Sequence, residues 1–253
     1  MKSTKNKYIW ISILTVAIVI FLWELVTTIG LIKPVYIGTP HVILEKLLVM
    51  FSQKSFYLAL ANSFESFFFG FFLAIVIGVP LGLLLGIRKK AAQIAAPFIF
   101  TFNTIPYIAI LPLFIIWFGI GTLAKTVMVF LMASAPIIIY TFDSTKTVDK
   151  GLIMMAKSFG KTEISNLKNI IFYHSLPYIF SGIRVAVGRG LIAVIVAEIY
   201  GLGKGIGYYV SYYGSTLQTD RLMALVIVVL FTNFLLIWFI NKVKKSIVFW
   251  DKN

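Results

Sequence analysis

Long apolar runs constrain the fold of this 253-residue chain more than any other feature. A helix needs about 20 mainly apolar residues to cross the hydrocarbon core of a bilayer. An open strand would leave backbone polar groups unpaired in lipid, so each run is predicted to be helical. Six spans are predicted, at residues 8–29, 56–87, 95–118, 125–142, 177–200 and 222–240. The expected fold is an all-α, polytopic membrane protein built as a single membrane domain, residues 1–253.

The composition supports this class. Apolar residues make up 60% of the chain and charged residues 13%, and the mean hydropathy is +0.95. So few polar side chains cannot cover the surface of a soluble domain, and so much apolar surface is atypical of a disordered chain. The first run follows three lysines, as in a signal peptide. Further spans and no small-residue cleavage pattern follow it, so it is interpreted as an uncleaved helix.

The distribution of Lys and Arg predicts the orientation. With the N-terminus in the cytoplasm, fifteen of these residues fall in cytoplasmic segments and six in outer segments, counting Lys125 at the outer end of its span, and Arg184 and Arg189 lie within a span. This bias satisfies the positive-inside rule. It predicts that both termini and residues 143–176 are cytoplasmic and that residues 30–55 lie outside. The net charge of +14 is explained by the membrane orientation, and no nucleic acid partner is expected.

Sequence motifs for an enzyme are lacking. The chain has no cysteine, no H-E-x-x-H, no G-x-S-x-G and no group of neighbouring carboxylates. We therefore expect no catalytic residues, no bound metal and no cofactor. The glycine-rich residues 203–207 lack the spacing of a phosphate-binding loop and fall on the predicted outer side, so they are interpreted as a flexible turn.

Ionisable side chains and prolines inside spans are the candidate functional residues. Arg189 lies at the edge of a stripe of small residues on the 177–200 helix, so this arginine should point into the bundle. The stripe is formed by Gly182, Ala186, Gly190, Ala193 and Ala197. Two interpretations remain open, a pathway for an anionic solute and a structural arginine. Pro106 and Pro112 should break the third span, either at a pathway or as a packing kink. Glu24, Glu65 and Glu198 lie near outer span ends and are interpreted as structural interfacial carboxylates.

The polar loop 143–176 carries a resemblance to a known family. Residues 152–182 resemble the E-A-A-x-x-x-G-x9-I-x-L-P signature of the cytoplasmic loop in permease subunits of ATP-binding-cassette importers. Met154-Met155-Ala156 stands at E-A-A, Gly160 at the glycine and Ile170 at the isoleucine. The signature glutamate is replaced by Met154, and Tyr173 stands at the signature proline.

Flanking motifs narrow the resemblance to the nitrate, sulfonate and taurine branch. They include Ile105-Pro106-Tyr107, Gly78-Val79-Pro80-Leu81-Gly82 and Thr219-Asp220-Arg221. The resemblance covers nearly the whole chain from Gly38 onward. It implies a type I importer permease that pairs with a second permease copy in the bacterial cell membrane. The implied partners are two ATPase subunits that use ATP, an extracytoplasmic solute-binding protein and the membrane lipid.

The resemblance also implies roles for particular residues. The loop should form a coupling helix that docks on the ATPase, with Gly160 allowing a tight turn of positive φ. The residues expected to form this contact are Met154, Met155, Ala156, Gly160, Ile164, Leu167 and Ile170. The transported solute is expected to be small and anionic, such as a sulfonate, taurine or nitrate. The alternatives are a vitamin or pyrimidine precursor carried by the same family, a stand-alone secondary transporter, and a membrane-embedded enzyme.

Overall fold

The computed structural model describes residues 2–162 and 170–250, and this part of the chain is helical, without strands. Its helices, numbered in chain order, are α1 (Lys2–Thr28), α2 (Pro34–Ile37), α3 (Pro40–Phe51), α4 (Lys54–Ile87), α5 (Lys89–Thr104), α6 (Leu111–Phe118), α7 (Thr122–Lys146), α8 (Lys150–Ser158), α9 (Phe172–Ile199), α10 (Ile206–Ser215) and α11 (Thr219–Ile247).

Five of the described helices are long and apolar enough to cross a membrane: α1 from Trp10, α4, α7, α9 and α11. The predicted third span, residues 95–118, is instead divided between α5 and α6, which have 16 and 8 residues. Residues 105–110 separate the two helices. The cause is Pro106, because proline has no N–H to donate and disfavours helical backbone at the preceding residue.

The chain forms two compact units. The larger contains residues 60–208 and those from 231 onward, and its core lies between α7 and α9. All five small residues predicted to share a face of α9 are buried: Gly182, Ala186, Gly190, Ala193 and Ala197. Gly182 lies against Pro136 and Tyr140 of α7. The prediction that this stripe lets another helix approach closely is confirmed.

A second glycine stripe joins α4 to α7. Gly70, Gly78, Gly82 and Gly86 each face α7 closely enough that an added Cβ would press on its atoms. At Gly82 those atoms belong to Ile138 and Thr141. Spacings of four and eight residues keep these glycines on one side of the helix. Backbone approach of this kind lets helices associate in lipid by van der Waals packing.

The smaller unit contains the described residues up to 59 together with 209–230. Polar contacts hold its segments together. The Thr39 backbone N–H donates to Asp220 Oδ1 over 2.9 Å, and Trp23 Nε1 donates to the Gly38 carbonyl over 3.1 Å. Gly38 has φ +68°, where an L side chain would be strained. The start of α11 and the end of α1 are thereby tied to the segment that leads into α3.

Candidate functional site: a cationic cavity beside a broken helix

A cavity of about 360 Å³ lies where the chain breaks between α5 and α6. Its walls come from the end of α5, the break, α7 and α9: Asn103, Ile105, Pro106, Tyr107, Ile108, Met132, Arg189 and Ile192. The structure thus brings together Arg189 and Pro106, two of the three residues predicted to line a pathway. The third, Pro112, is in the first turn of α6, where a missing N–H is tolerated, and does not line the cavity.

Local hydrogen bonds hold the break in place. The Tyr107 hydroxyl donates to the Phe102 carbonyl over 2.9 Å, and the Tyr107 ring is buried. The Ala109 N–H donates to the Pro106 carbonyl over 2.8 Å, which closes a turn. The backbone groups released by Pro106 are therefore partly satisfied within the segment itself. The break keeps a fixed shape and places Asn103 at the cavity wall.

Arg189 is the cation of this cavity. Its Nη1 donates to Asn103 Oδ1 over 2.5 Å, and the side chain is half-buried. A guanidinium has five N–H donors and stays charged in proteins. Asn103 is its one hydrogen-bond partner among residues 2–162 and 170–250, so most of its donors remain available. The lining includes no Asp or Glu. The cavity therefore offers a small anion one oriented cation between apolar walls.

Arg184 lies on the same helix but in a different setting. Its side chain is exposed, and it does not line the cavity.

The two methionines of the loop resemblance are accessible. In α8, Met154 and Met155 are 65% and 58% exposed, and Ala156 is half-buried. The N-cap is Asp149, whose Oδ1 accepts from the Gly151 N–H over 2.6 Å.

Gly160 ends α8 in the way predicted for it. Its φ is +73°, its N–H donates to the Lys157 carbonyl over 2.9 Å, and the Lys161 N–H donates to the Ala156 carbonyl over 3.0 Å. These two bonds form a Schellman cap, whose left-handed residue is usually glycine. The prediction of a tight turn with positive φ is confirmed.

The rest of the predicted coupling contact is less accessible or lies elsewhere. Ile170 is half-buried within this chain, against a cluster of Leu83, Val148 and Ile171. That packing limits how much of Ile170 a partner can reach. Ile164 and Leu167 lie outside the described residues. Among the loop residues that the structure describes, the exposed apolar side chains therefore lie mainly in α8.

One polar cluster was not predicted from the sequence. Glu198 is 1% exposed and Lys125 is 3% exposed, and Lys125 Nζ lies 3.1 Å from Glu198 Oε1. Ser63 Oγ donates to the same carboxylate over 2.8 Å, and the Gly207 N–H donates to it over 3.0 Å. Glu198 is therefore a fully buried, ion-paired carboxylate, and its side chain is not exposed at the helix end. Lys125, counted as an outer-segment lysine, is buried as well.

The cluster explains the glycine-rich residues 203–207. A Cβ on Gly205 would overlap the Glu198 carboxylate, and one on Gly207 would overlap the Ile195 carbonyl. The Ile206 N–H donates to Ser63 Oγ over 2.9 Å. The first turn of α10 is thus held by a buried serine and carboxylate, and Gly205 and Gly207 pack closely against their neighbours. The signal available in the sequence was an acid and a lysine in spans, 73 residues apart.

A discontinuous membrane helix beside a cavity that holds a cation is an arrangement found in membrane transport proteins. Residues 74–248 match the family described as binding-protein-dependent transport system inner membrane component, and the chain belongs to this family. It is the permease subunit of an ATP-binding-cassette importer and a multi-pass membrane protein.

Two relatives match along most of the chain. The taurine transport system permease protein TauC of Escherichia coli (strain K12) is 30% identical over 91% of this chain and 86% of its own length. The putative aliphatic sulfonates transport permease protein SsuC of Bacillus subtilis (strain 168) is 26% identical over 98% and 91%. A chain of the MetNI methionine ABC transporter, in an inward-facing conformation, superposes with a TM-score of 0.64 at 18% identity. The superposition covers 77% of this chain and 99% of the MetNI chain, so the two share the type I importer fold.

Proposed function

We propose that this permease carries small organic sulfonates, and that Arg189 is the cation they meet in the membrane. The observation that carries the proposal is the Arg189 guanidinium, oriented by Asn103 over 2.5 Å in a cavity lined by no acidic residue. A sulfonate matches this site because its oxygens accept hydrogen bonds from a guanidinium in a forked geometry. Two relatives match along most of this chain, and their names state taurine and aliphatic sulfonates. These names support the same solute class.

The partners follow from the family and remain part of the proposal. Two ATPase subunits use ATP on the cytoplasmic side, a second permease copy completes the pathway, and an external binding protein delivers the solute. The ATPase contact is formed by α8 and the segment after it, through Met154, Met155, Ala156, Gly160, Ile164, Leu167 and Ile170. Support comes from the exposed apolar side chains of α8 and from its Schellman cap at Gly160. Both termini are cytoplasmic in a bacterial cell membrane, in keeping with the positive-inside distribution.

A pyrimidine precursor is the second candidate solute. The observation in its favour is a 27% identity over 48% of this chain to the formylaminopyrimidine transport permease protein ThiX of Halalkalibacterium halodurans. That match covers half of the chain, whereas the taurine and sulfonate relatives match nearly all of it. A site whose charged group is a cation also favours an anionic solute over a neutral pyrimidine.

Uptake by the assembled importer tests the proposal. The permease is co-expressed with candidate ATPase subunits from the same organism and reconstituted into proteoliposomes. ATP is supplied on the side of the ATPase, and a candidate binding protein on the opposite side. Labelled taurine, ethanesulfonate and formylaminopyrimidine are offered separately. ATP-dependent accumulation of the two sulfonates is expected, with no accumulation of the pyrimidine. Transport of the pyrimidine alone would overturn the solute assignment, and failure to recover an ATPase with the permease would overturn the partner assignment.

A further inference from the structure

A second cavity, of about 510 Å³, lies in the larger unit at the point where two candidate spans end and two other helices begin. Gly86 and Ile87 end α4, and Thr145 and Lys146 end α7. Lys89 opens α5 and Lys150 opens α8. Both α4 and α7 are long and apolar enough to cross a bilayer, and the proposed orientation puts their ends, and with them the cavity, at the cytoplasmic membrane boundary.

The rim of this cavity is cationic. Lys89, Lys146 and Lys150 line it, and no Asp or Glu does. Lys146 Nζ lies 2.8 Å from Asp143 Oδ1, whereas Lys89 and Lys150 have no ion pair within the described ranges. The nearby Asp149 is engaged as the N-cap of α8. Two helices also begin here, and the N-terminal end of a helix carries partial positive charge.

The walls of the same cavity are apolar. Ile87, Ala92, Ala96, Val148 and Ile153 form them, beneath the lysine rim. A free phosphate would contact the rim and leave these walls uncovered. An amphiphile with a phosphate group and an acyl chain covers both, since its charge pairs with lysines and its apolar part replaces water against the walls.

We propose that this cavity binds the headgroup and upper acyl segment of an anionic phospholipid. The site rests on the proposed orientation, in which the ends of α4 and α7 face the cytoplasmic leaflet. Ile153 belongs to α8, so the bound lipid touches the helix that carries Met154 and Met155. Occupancy would then link the charge of the cytoplasmic leaflet to the segment proposed to contact the ATPase.

The test measures lipid binding apart from transport. The purified full-length permease complex is placed in nanodiscs of phosphatidylcholine with a minority of phosphatidylglycerol. Lipids that stay bound after extraction into mild detergent are quantified by mass spectrometry. Phosphatidylglycerol is expected to be enriched over its share of the bulk lipid. The double variant Lys89→Gln/Lys150→Gln is expected to lower that enrichment at least about fivefold, because a lysine near an anionic lipid contributes on the order of 1 kcal/mol.

Two matched variants locate the effect. Lys157→Gln/Lys161→Gln removes the same charge from exposed sites outside the cavity and should keep the enrichment. Ala96→Trp fills the apolar part without changing charge and should lower the enrichment as well. An equal loss from both lysine pairs, or no loss with Ala96→Trp, would contradict a site in this cavity. Displacement of the lipid by excess inorganic phosphate would show a free-anion site instead, and no enrichment in the unmodified complex would overturn the proposal. Each outcome is independent of whether sulfonates are transported.

Discussion

Lys125 Nζ lies 3.1 Å from Glu198 Oε1, and both side chains are almost completely withdrawn from the surface. Lys125 lies in the first turn of α7 and Glu198 in the last turn of α9, the helices at the centre of the larger unit. Ser63 of α4 and the N–H of Gly207 in α10 share the same carboxylate. This ion pair therefore joins the start of α7, the end of α9 and the start of α10 to the side of α4.

Breaking the pair on one side should destabilise the protein strongly. Glu198→Gln leaves the Lys125 ammonium buried without its counter-charge, which is expected to lower the free energy of unfolding by about 3–5 kcal/mol. Thermal unfolding in detergent, followed by loss of monodisperse protein, measures the effect. Glu65→Gln is the matched control, because it makes the same chemical change at an exposed position of α4. Equal unfolding temperatures for the two variants would contradict a structural ion pair.

The glycine-rich turn of residues 203–207, after α9, gives a second prediction. Gly205→Ala places a Cβ on the Glu198 carboxylate, so the turn or the carboxylate must shift and its hydrogen bonds weaken. Gly214→Ala is the control, since a Cβ there meets open space in α10. The first variant is expected to lower the unfolding temperature clearly and the second to leave it unchanged or raise it slightly. A stable Gly205→Ala protein would mean that this segment is as flexible as the sequence alone indicated.

The cap at Gly160 gives a prediction about coupling. Gly160→Val forces a β-branched residue into a left-handed conformation at φ +73°, and the strain should reshape the end of α8. The protein should still insert in the membrane while recovery of the ATPase, ATP-dependent uptake, or both, decline. Pull-down of the ATPase together with vesicle uptake measures this.

Two substitutions make the coupling result specific. Gly160→Asn should behave far better than Gly160→Val, because asparagine tolerates the left-handed region. Lys161→Gln removes an exposed charge and should matter little. Unimpaired ATPase recovery and uptake by Gly160→Val would exclude α8 and its cap from the coupling contact.

The membrane orientation is tested with single cysteines, since the chain has none of its own. An impermeant thiol reagent added to intact cells should label Lys54→Cys, which lies in a predicted outer segment. It should label Lys161→Cys only after the membrane is opened. The reverse pattern would invert the proposed topology and move the lysine-lined cavity to the outer leaflet.

Local patterns predicted much of this structure. The small residues of α9, the break at Pro106 and the turn at Gly160 follow from steric rules that act within a few residues. The buried pair of Lys125 and Glu198 could not be predicted in the same way, because its partners come from distant spans. The same limit applied to Arg189, whose hydrogen bond to Asn103 joins residues 86 positions apart. Periodicity placed Arg189 at the edge of a packed face, whereas its partner depended on how α5 ends.

Arg189 carries the central claim, and its substitution tests that claim most directly. ATP-dependent uptake of labelled taurine into proteoliposomes is compared for Arg189→Gln and Arg184→Gln, at equal amounts of assembled complex. Both variants remove one positive charge from α9, but only the first removes it from the cavity. Loss of charged hydrogen bonds to the solute, about 1.5–3 kcal/mol, predicts a decrease of roughly tenfold or more for Arg189→Gln. Arg184→Gln should transport near the unmodified rate. Equal transport by the two variants, with the complex intact in both, would contradict a sulfonate pathway through this cavity.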